Sequence, residues 1–92
     1  MQKEESLPII KGDFLPSEAK LILMNILNNK IKFHEMRNFS SIERYGKADD
    51  NAIKSIARLE NISAEVKKIL SNAEASNKKL SILAELNIQI IE

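Results

Sequence analysis

PSEAKLILMNILNNKIKFHEMRN, residues 16–38, predicts a long helix against which the other elements of the chain are expected to pack. Its apolar side chains recur at steps of three and four residues, which is the spacing of one face of an α-helix. Two such stripes run along the predicted helix. The first comprises Ala19, Ile22, Ile26, Asn29, Phe33 and Met36, and the second comprises Met24, Leu27, Ile31 and His34. A helix that is apolar on two sides is usually covered on both, so we expect another helix on one side and a strand layer or a second copy of the protein on the other. One broad apolar face with a few exposed residues is the alternative.

A capping signal after this helix predicts a short helical turn. Ser40 and Glu43 have the spacing of a capping box, in which a serine caps a helix and a glutamate three residues later bonds back to it. Gly46 follows, and glycine often ends a helix in the left-handed conformation. The spacing therefore predicts a separate turn over residues 41–45, after a first helix over residues 16–38. One continuous helix over residues 16–45 is the alternative.

Residues 50–76 predict a second long helix, capped by Asp49 or Asp50. Its apolar residues recur at an average step of about 3.5 residues, which is typical of a coiled coil. This stripe comprises Ala52, Ile56, Leu59, Ile62, Val66, Ile69 and Ala73, with Leu70 beside it. Because a single stripe suits a helix with one packing partner, we expect the two helices to form an antiparallel hairpin.

Both ends of the chain predict β-strands. Residues 7–11, LPIIK, are a short β-prone run, and Pro8 suits an edge strand because proline donates no ladder hydrogen bond. Residues 80–91 alternate with period two, as a strand with one buried face does, although a third helix is the alternative there. An isolated two-stranded ribbon is marginal in water. We therefore expect the strands to lie together across the second stripe of the first helix, or the C-terminal strand to pair with its copy in another chain, or both.

Together these elements predict an α+β fold that is mainly α. It is a long antiparallel helical hairpin with a small β element from both ends of the chain, in one domain over residues 1–92. A chain of this length buries only a small core, so self-association would add to its stability. We expect a homo-oligomer, either a dimer or a tetramer, in which paired hairpins bury their stripes as four-helix bundles do.

Composition argues against several classes of protein. Lys and Arg number 14 against 13 acidic residues, so no strong field draws the chain to nucleic acid or to an anionic membrane. The chain has no cysteine, which excludes disulfides, thiol catalysis and cysteine-bound zinc and fits the cytoplasm. No stretch has the roughly 20 apolar residues of a membrane span, and the first residues lack the apolar run of a signal peptide. The abundance of Ile, Lys and Asn is typical of a bacterial genome rich in A and T.

The sequence shows no arrangement of residues that points to catalysis. His34 is the only histidine, and no Asp or Glu lies three or four residues from it to orient it as a base. The only glycines, Gly12 and Gly46, form no phosphate-binding pattern. We therefore expect a protein that is not an enzyme and needs no cofactor or metal ion.

Self-association or the binding of another protein is the favoured function, because the second stripe and the C-terminal strand both need a partner. The candidate interface residues are Met24, Leu27, Ile31, His34, Leu86, Ile88 and Ile90. The connection between the helices is a second candidate surface, although helix caps and a solvated tip are the plainer interpretation. Its residues are Glu43, Arg44, Tyr45 and Asp49.

The alternative function is a small nucleic-acid-associated regulator. It would use Lys30, Lys32 and Arg37, halfway along the first helix. The second helix has the wrong charge for this role, because its acidic start at Asp49 and Asp50 would repel phosphates.

Three short runs resemble a pattern found in small uncharacterised bacterial proteins. They are LPSEA at 15–19, NKIKFH at 29–34 and FSSIERYG at 39–46. The resemblance covers roughly residues 14–50. It implies a small stand-alone protein, and it assigns no activity and no functional residue.

Overall fold

The computed structural model describes residues 3–91. They form two helices and two β-strands, with one strand before the helices in the chain and the other after them. In chain order these are β1, Lys3–Phe14; α1, Pro16–Tyr45; α2, Asp50–Ala75; and β2, Leu80–Ile90. The strands pair as a two-stranded antiparallel sheet, and most of the chain is helical. The predicted class, α+β and mainly α with a long helical hairpin, is confirmed.

Helix α1 is continuous, so the separate turn predicted over residues 41–45 is wrong. The helix starts at Pro16, where the backbone N–H of Leu15 donates to Glu18 Oε1 at 2.9 Å. It ends at Tyr45, and the C-cap residue Gly46 follows in the left-handed conformation with φ 66°. Ser40, the predicted cap, caps no new helix, because it lies inside α1. The hydroxyl of the next residue, Ser41, donates to the Lys47 carbonyl at 2.8 Å. With neither Pro nor Gly between residues 17 and 45, nothing in the sequence interrupts the backbone ladder.

Helix α2 starts at the predicted residue and ends one residue before the predicted end. Asp49 is its N-cap, and its Oδ1 accepts a hydrogen bond from the backbone N–H of Ala52 at 3.0 Å. The helix ends at Ala75, and Asn77 follows in the left-handed conformation with φ 55°. The backbone N–H of Lys78 donates a hydrogen bond to the Ala73 carbonyl at 2.9 Å. This satisfies one of the carbonyl groups in the last turn that have no partner within the helix.

The hairpin is held by one narrow seam. The buried residues of the described chain all lie in the two helices: Ala19, Leu27, Ala52, Leu59, Ser63, Leu70 and Ala73. Ile62 and Ile69, predicted in the buried stripe of α2, are exposed, and Ser63 and Leu70 take their places. The predicted pair, Ile62 and Ile69, and the observed pair, Ser63 and Leu70, recur with the same helical period. The observed pair includes a small residue, Ser63, which lets two helix backbones approach closely.

The ribbon has one apolar face, because directly paired residues of an antiparallel ladder share a face. Phe14 pairs with Leu80, Ile10 with Ala84, and Leu7 with Leu86. We call the apolar residues on this side the ribbon face: Leu7, Ile10, Phe14, Leu80, Ile82, Ala84, Leu86, Ile88 and Ile90. The other side carries mostly polar residues, and there the Ser6 hydroxyl donates to the Glu85 carboxylate.

A β-bulge between Pro8 and Ile10 keeps that face continuous. Ile9 is the extra residue, opposite no partner in β2. A regular ladder would place Leu7 opposite Asn87, on the polar side, since one residue of slip exchanges the faces of a strand. β1 is also longer than the predicted 7–11, because pairing with β2 carries it from Lys3 to Phe14.

The structure is flat, and its ribbon turns away from the hairpin. The principal extents are 50 × 36 × 15 Å. The 30 residues of α1 span about 45 Å, and the 11 of β2 span about 37 Å. Laid end to end they would far exceed 50 Å, so the ribbon runs at a steep angle to the helices. The prediction that the ribbon covers the second stripe of α1 is wrong, because few contacts join the ribbon to α1.

Candidate functional site

The second stripe of α1 faces α2 rather than an open surface. Leu27 is buried, and Met24, Ile31 and His34 are half-buried. Met24 and Ile31 line a small cavity together with Ser63 and Ala64 of α2. These four predicted interface residues therefore have packing partners within the chain, and a surface for a partner must be sought on the other sides of the hairpin.

His34 carries a polar atom that the seam leaves without a partner. Its Nδ1 is buried and has no hydrogen bond within residues 3–91, and the same is true of the Ser63 hydroxyl. The His34 ring meets Phe33 edge-on, with 5.3 Å between ring centroids. Both side chains sit at the seam of the hairpin, so the simplest role for them is structural.

One flank of the hairpin is apolar. Ile26 and Phe33 are seven residues apart on α1, and Ile62 and Ile69 are seven apart on α2, so each pair repeats one position every two turns. Leu23, which lies three residues before Ile26 and therefore on the same side of α1, lines a cavity together with Ile69. This indicates that the two pairs lie on the same side of the hairpin. All four residues are exposed, and Phe33 by 56%. We call this surface the heptad face: Ile26, Phe33, Ile62 and Ile69.

The opposite flank is mostly polar at matching positions. Leu21, Asn28 and Glu35 repeat along α1, and Ile53, Glu60 and Lys67 repeat along α2. Asn28, Glu60 and Lys67 line one cavity, which confirms that they share a side. The opposite flank therefore carries fewer apolar side chains, namely Leu21, Ile53 and Ile42, which lies seven residues after Glu35. The heptad-face flank is not wholly apolar, because the Arg37 guanidinium lies against Phe33 there.

The heptad face adjoins the ribbon face. A cavity of about 240 Å³ is lined by Leu23, Val66 and Ile69 of the hairpin and by residues 80–83 of the ribbon, which include Leu80 and Ile82 of the ribbon face as well as Ser81 and Leu83 of the other side. Further along the ribbon the apolar side chains have no cover within residues 3–91, and Leu86, Ile88 and Ile90 are all exposed. Of the predicted interface, these three β2 residues are the ones that lie on an open surface.

The hairpin tip carries a second set of exposed apolar residues. They follow α1 at every third position: Phe33, Met36, Phe39, Ile42 and Tyr45. Steps of three do not stay on one face of an α-helix, so the row winds around α1 and forms no single flat surface. A groove of about 500 Å³ lies beside it, lined by Arg37, Ser40, Arg44 and Asp49 among others.

The predicted loop residues do not form one polar site. Arg44 and Asp49 line the groove together with Tyr45, which is 72% exposed. Asp49 is occupied as the cap of α2, and Glu43 is absent from the groove. This is the arrangement of helix caps and a solvated tip.

The cations proposed for nucleic acid divide between two sides of α1. Lys30 and Arg37 are seven residues apart and share a flank with Arg44, seven residues further on. Lys32 lies well around the helix from both. The Arg37 guanidinium stands 5.8 Å from the centre of the Phe33 ring, a cation–π distance.

Within residues 3–91, no group of three or more His, Cys, Asp or Glu side chains could hold a metal ion. Across the same residues, no helix has both the length and the apolar character that a membrane crossing requires.

Searches against protein-family models, curated proteins and solved structures found no match to this chain. The resemblance of residues 14–50 to small bacterial proteins therefore stays a prediction.

The heptad face is divided between two of the stripes predicted from the sequence. Ile26 and Phe33 belong to the first stripe of α1, whereas Ile62 and Ile69 belong to the stripe predicted for the seam of α2. The available signal was the seven-residue spacing of both pairs, since residues seven apart keep the same position relative to a partner helix.

Proposed function

We propose that the protein is a non-enzymatic, self-associating helical hairpin whose copies pack face to face through the heptad face and the ribbon face. The observation that carries this proposal is the single layer of the fold. Domains bury their apolar faces between two or more packed layers, whereas this chain is only 15 Å thick, so its helices and ribbon form a single layer.

Burial supports the same proposal. Eighteen large hydrophobic side chains among the described residues are exposed, against three buried leucines and three buried alanines. The radius of gyration is 16.7 Å, whereas a compact domain of this length has about 12 Å. A second copy laid on the apolar side would supply the missing layer.

The available area is sufficient for a stable contact. The broad side of the molecule measures 50 by 36 Å at its extremes, which leaves room for the ~800 Å² per partner of a standard interface. A two-fold axis would set each heptad face against its copy, so the surface needs only to be complementary to itself. Binding of a different protein through the same surface is the competing outcome.

The test is the molar mass in solution, by light scattering after size exclusion over a concentration series. The double substitution Ile62→Lys with Ile69→Lys should lower the mass, because it places charges in the proposed contact. The matched control, Leu21→Lys with Ile53→Lys, changes two exposed apolar residues on the opposite flank and should leave the mass unchanged. Circular dichroism checks that both variants stay helical. A wild-type protein that is monomeric at every concentration would overturn the proposal.

Nucleic-acid association is the alternative function, and the row of Lys30, Arg37 and Arg44 favours it. A labelled DNA duplex titrated at low salt tests it, because phosphate contacts weaken steeply as salt rises. Binding that is lost in a variant with all three residues changed to Gln would support it. No binding at low salt would remove it. Location in the cytoplasm and a bacterial source stay predictions from composition.

A further inference from the structure

The two edges of the ribbon differ in a way that suggests a use for one of them. The outer edge of β1 is interrupted by Pro8, which has no N–H to donate, and by the bulge at Ile9. β1 also carries charged residues at both ends. Natural proteins use these devices to prevent an exposed edge from pairing with another strand.

The outer edge of β2 has none of these devices. Its sequence, LSILAELNIQI, contains neither Pro nor Gly, its pairing shows no bulge on its own side, and Glu85 is its only charged residue. Within residues 3–91 only β1 pairs with β2, so no strand lies along that outer edge. A long, regular, apolar edge of this kind readily takes another strand.

We propose that β2 pairs antiparallel with β2 of a second copy, around a two-fold axis at Leu86, to give a four-stranded sheet. This rests on the proposed function, since it names the partner as another copy of the chain. A sheet of three or more strands with an apolar face has the stability that a two-stranded ribbon lacks. The two-fold axis perpendicular to the sheet also keeps both ribbon faces on the same side.

The register follows from the side chains. An axis at Leu86 sets Ile82 opposite Ile90 of the copy and Ala84 opposite Ile88, so the ribbon face gains only apolar pairs. On the polar side it sets Glu85 opposite Asn87 of the copy. An axis at Glu85 would instead place two carboxylates directly opposite each other, which destabilises a sheet.

Edge pairing and face-to-face packing use different surfaces, so both can form in one assembly. If the two-fold axis of the edge pairing is perpendicular to that of the face-to-face packing, the two contacts together give a closed tetramer with D2 symmetry. The expected mass is therefore four times the 10.4 kDa of one chain.

The absence of cysteine from the chain allows a clean test. Leu86→Cys should form an intermolecular disulfide, because residues on the axis lie about 4.5–5.5 Å apart at Cα, within disulfide reach. Leu7→Cys is the matched control, since Leu7 pairs with Leu86 and lies on the same face with similar exposure. In the proposed sheet, two Leu7 residues are three strand spacings apart, about 14 Å, which no disulfide spans.

Under mild oxidation, the Leu86→Cys protein should shift to twice the chain mass on a non-reducing gel while Leu7→Cys stays at the mass of one chain. Equal cross-linking of the two variants, or none at position 86, would overturn the edge pairing. Circular dichroism and light scattering of the reduced variants establish that they fold and assemble as the wild type does.

Charge variants at Asn87 give a second reading that needs no cysteine. Asn87→Glu faces Glu85 of the copy and should lower the mass from tetramer to dimer, whereas Asn87→Lys should keep the tetramer. Equal masses for both variants would overturn the register. A dimeric wild-type protein, together with a Leu86→Cys variant that forms no disulfide, would overturn the edge pairing alone. A monomeric wild-type protein would overturn the proposed function as well.

Discussion

The side-chain oxygen of Asn38 accepts a hydrogen bond from the backbone N–H of Asp49 at 2.8 Å. This bond ties the last turns of α1 to the residue that caps α2, since Asp49 Oδ1 in turn accepts from Ala52. The Ser41 hydroxyl, which donates to the Lys47 carbonyl, fastens the same connection from its other end. Two of the three bonds join side chains of α1 to the backbone of the loop, and the third caps α2, so together they fix the turn at the hairpin tip.

Removal of this link should weaken the hairpin. Asn38→Ala is expected to lower the free energy of unfolding by about 1–2 kcal/mol. The hydrogen bond is partly buried, and the substitution leaves the Asp49 N–H without its acceptor. Asp49→Ala should cost about 1 kcal/mol as the loss of an N-cap. Urea unfolding followed by circular dichroism, at one protein concentration, measures both changes.

Asp50→Ala is the control for the tip. Asp50 is exposed and lies in the first turn of α2, where its charge favours the helix dipole without capping it. Its loss should cost less than that of Asp49. If Asp50→Ala costs as much as Asp49→Ala, the contribution of this region is electrostatic, and the hydrogen bonds at Asn38 and Asp49 do not hold the tip.

The seam of the hairpin should be sensitive to loss of volume. Leu59 is 5% exposed and lies in the middle of α2, so Leu59→Ala should cost ~2–5 kcal/mol through lost burial and the cavity left behind. Leu21→Ala, at a residue that is 66% exposed on the polar flank, should change the stability little. Comparable losses for the two variants would contradict the assignment of the core. The same urea unfolding experiment measures them.

Much of this seam could be predicted from residue spacing, and its details could not. The stripe through Met24, Leu27 and Ile31 is visible in the sequence because apolar residues recur at helical steps. The choice between Ile69 and Leu70 in α2 is not, since both continue the period and only the rotation of one helix against the other selects Leu70. That rotation depends on the facing helix, which a single segment does not contain.

The capping box at Ser40 and Glu43 shows the opposite case, in which a local motif misleads. Its spacing is correct, but a cap requires the chain to leave the helix before it. The uninterrupted backbone ladder of α1 gives no reason to do so. Ser41 is instead used at the C-terminal end of the same helix, where its hydroxyl holds the loop. Composition alone does not distinguish the two uses of a serine.

The ribbon was predictable in kind but not in length. Residues 80–91 alternate clearly, and the structure places β2 there up to Ile90. Glu4 and Glu5 have low β propensity, and they become strand only because residues more than 80 positions away pair with them. The apolar alternation of β2 indicates a buried side, but it does not indicate which layer covers that side.

Two buried polar atoms in the seam predict a gain in stability from apolar substitution. The His34 Nδ1 and the Ser63 hydroxyl have no hydrogen-bond partner within the described residues. His34→Leu and Ser63→Ala should each raise the free energy of unfolding by about 1 kcal/mol. A buried polar group without a partner loses its hydrogen bonds to water on folding and forms none in the protein, which destabilises the folded state. His34→Gln, which keeps a polar group at the same site, is the control and should give no gain.

A loss of stability in both apolar variants would show that these groups do have partners in solution. In that case the seam would contain ordered water or a rearranged histidine ring. Thermal unfolding at one protein concentration is the measurement, with light scattering to verify that the variants keep the wild-type mass.

The bulge residue Ile9 should be dispensable for the pairing of the ribbon. Ile9 is the one extra residue of β1, so its removal turns the ladder into a regular one in which Pro8 stays opposite Glu85 and Leu7 stays opposite Leu86. Every paired side chain keeps its face. We therefore expect the deletion of Ile9 to preserve the fold, the mass and most of the thermal stability.

Deletion of Leu83 is the matched control, because it shortens the strand that has no residue to spare. It moves the rest of β2 by one position and would set Ala84 and the residues after it on the wrong face, since the side-chain period of a strand is two. The ribbon face would be divided, and the melting temperature and the mass should both fall. Circular dichroism melts and light scattering of the two deletion variants decide the point. If removing Ile9 is as damaging as removing Leu83, the bulge has a role beyond keeping Leu7 against Leu86.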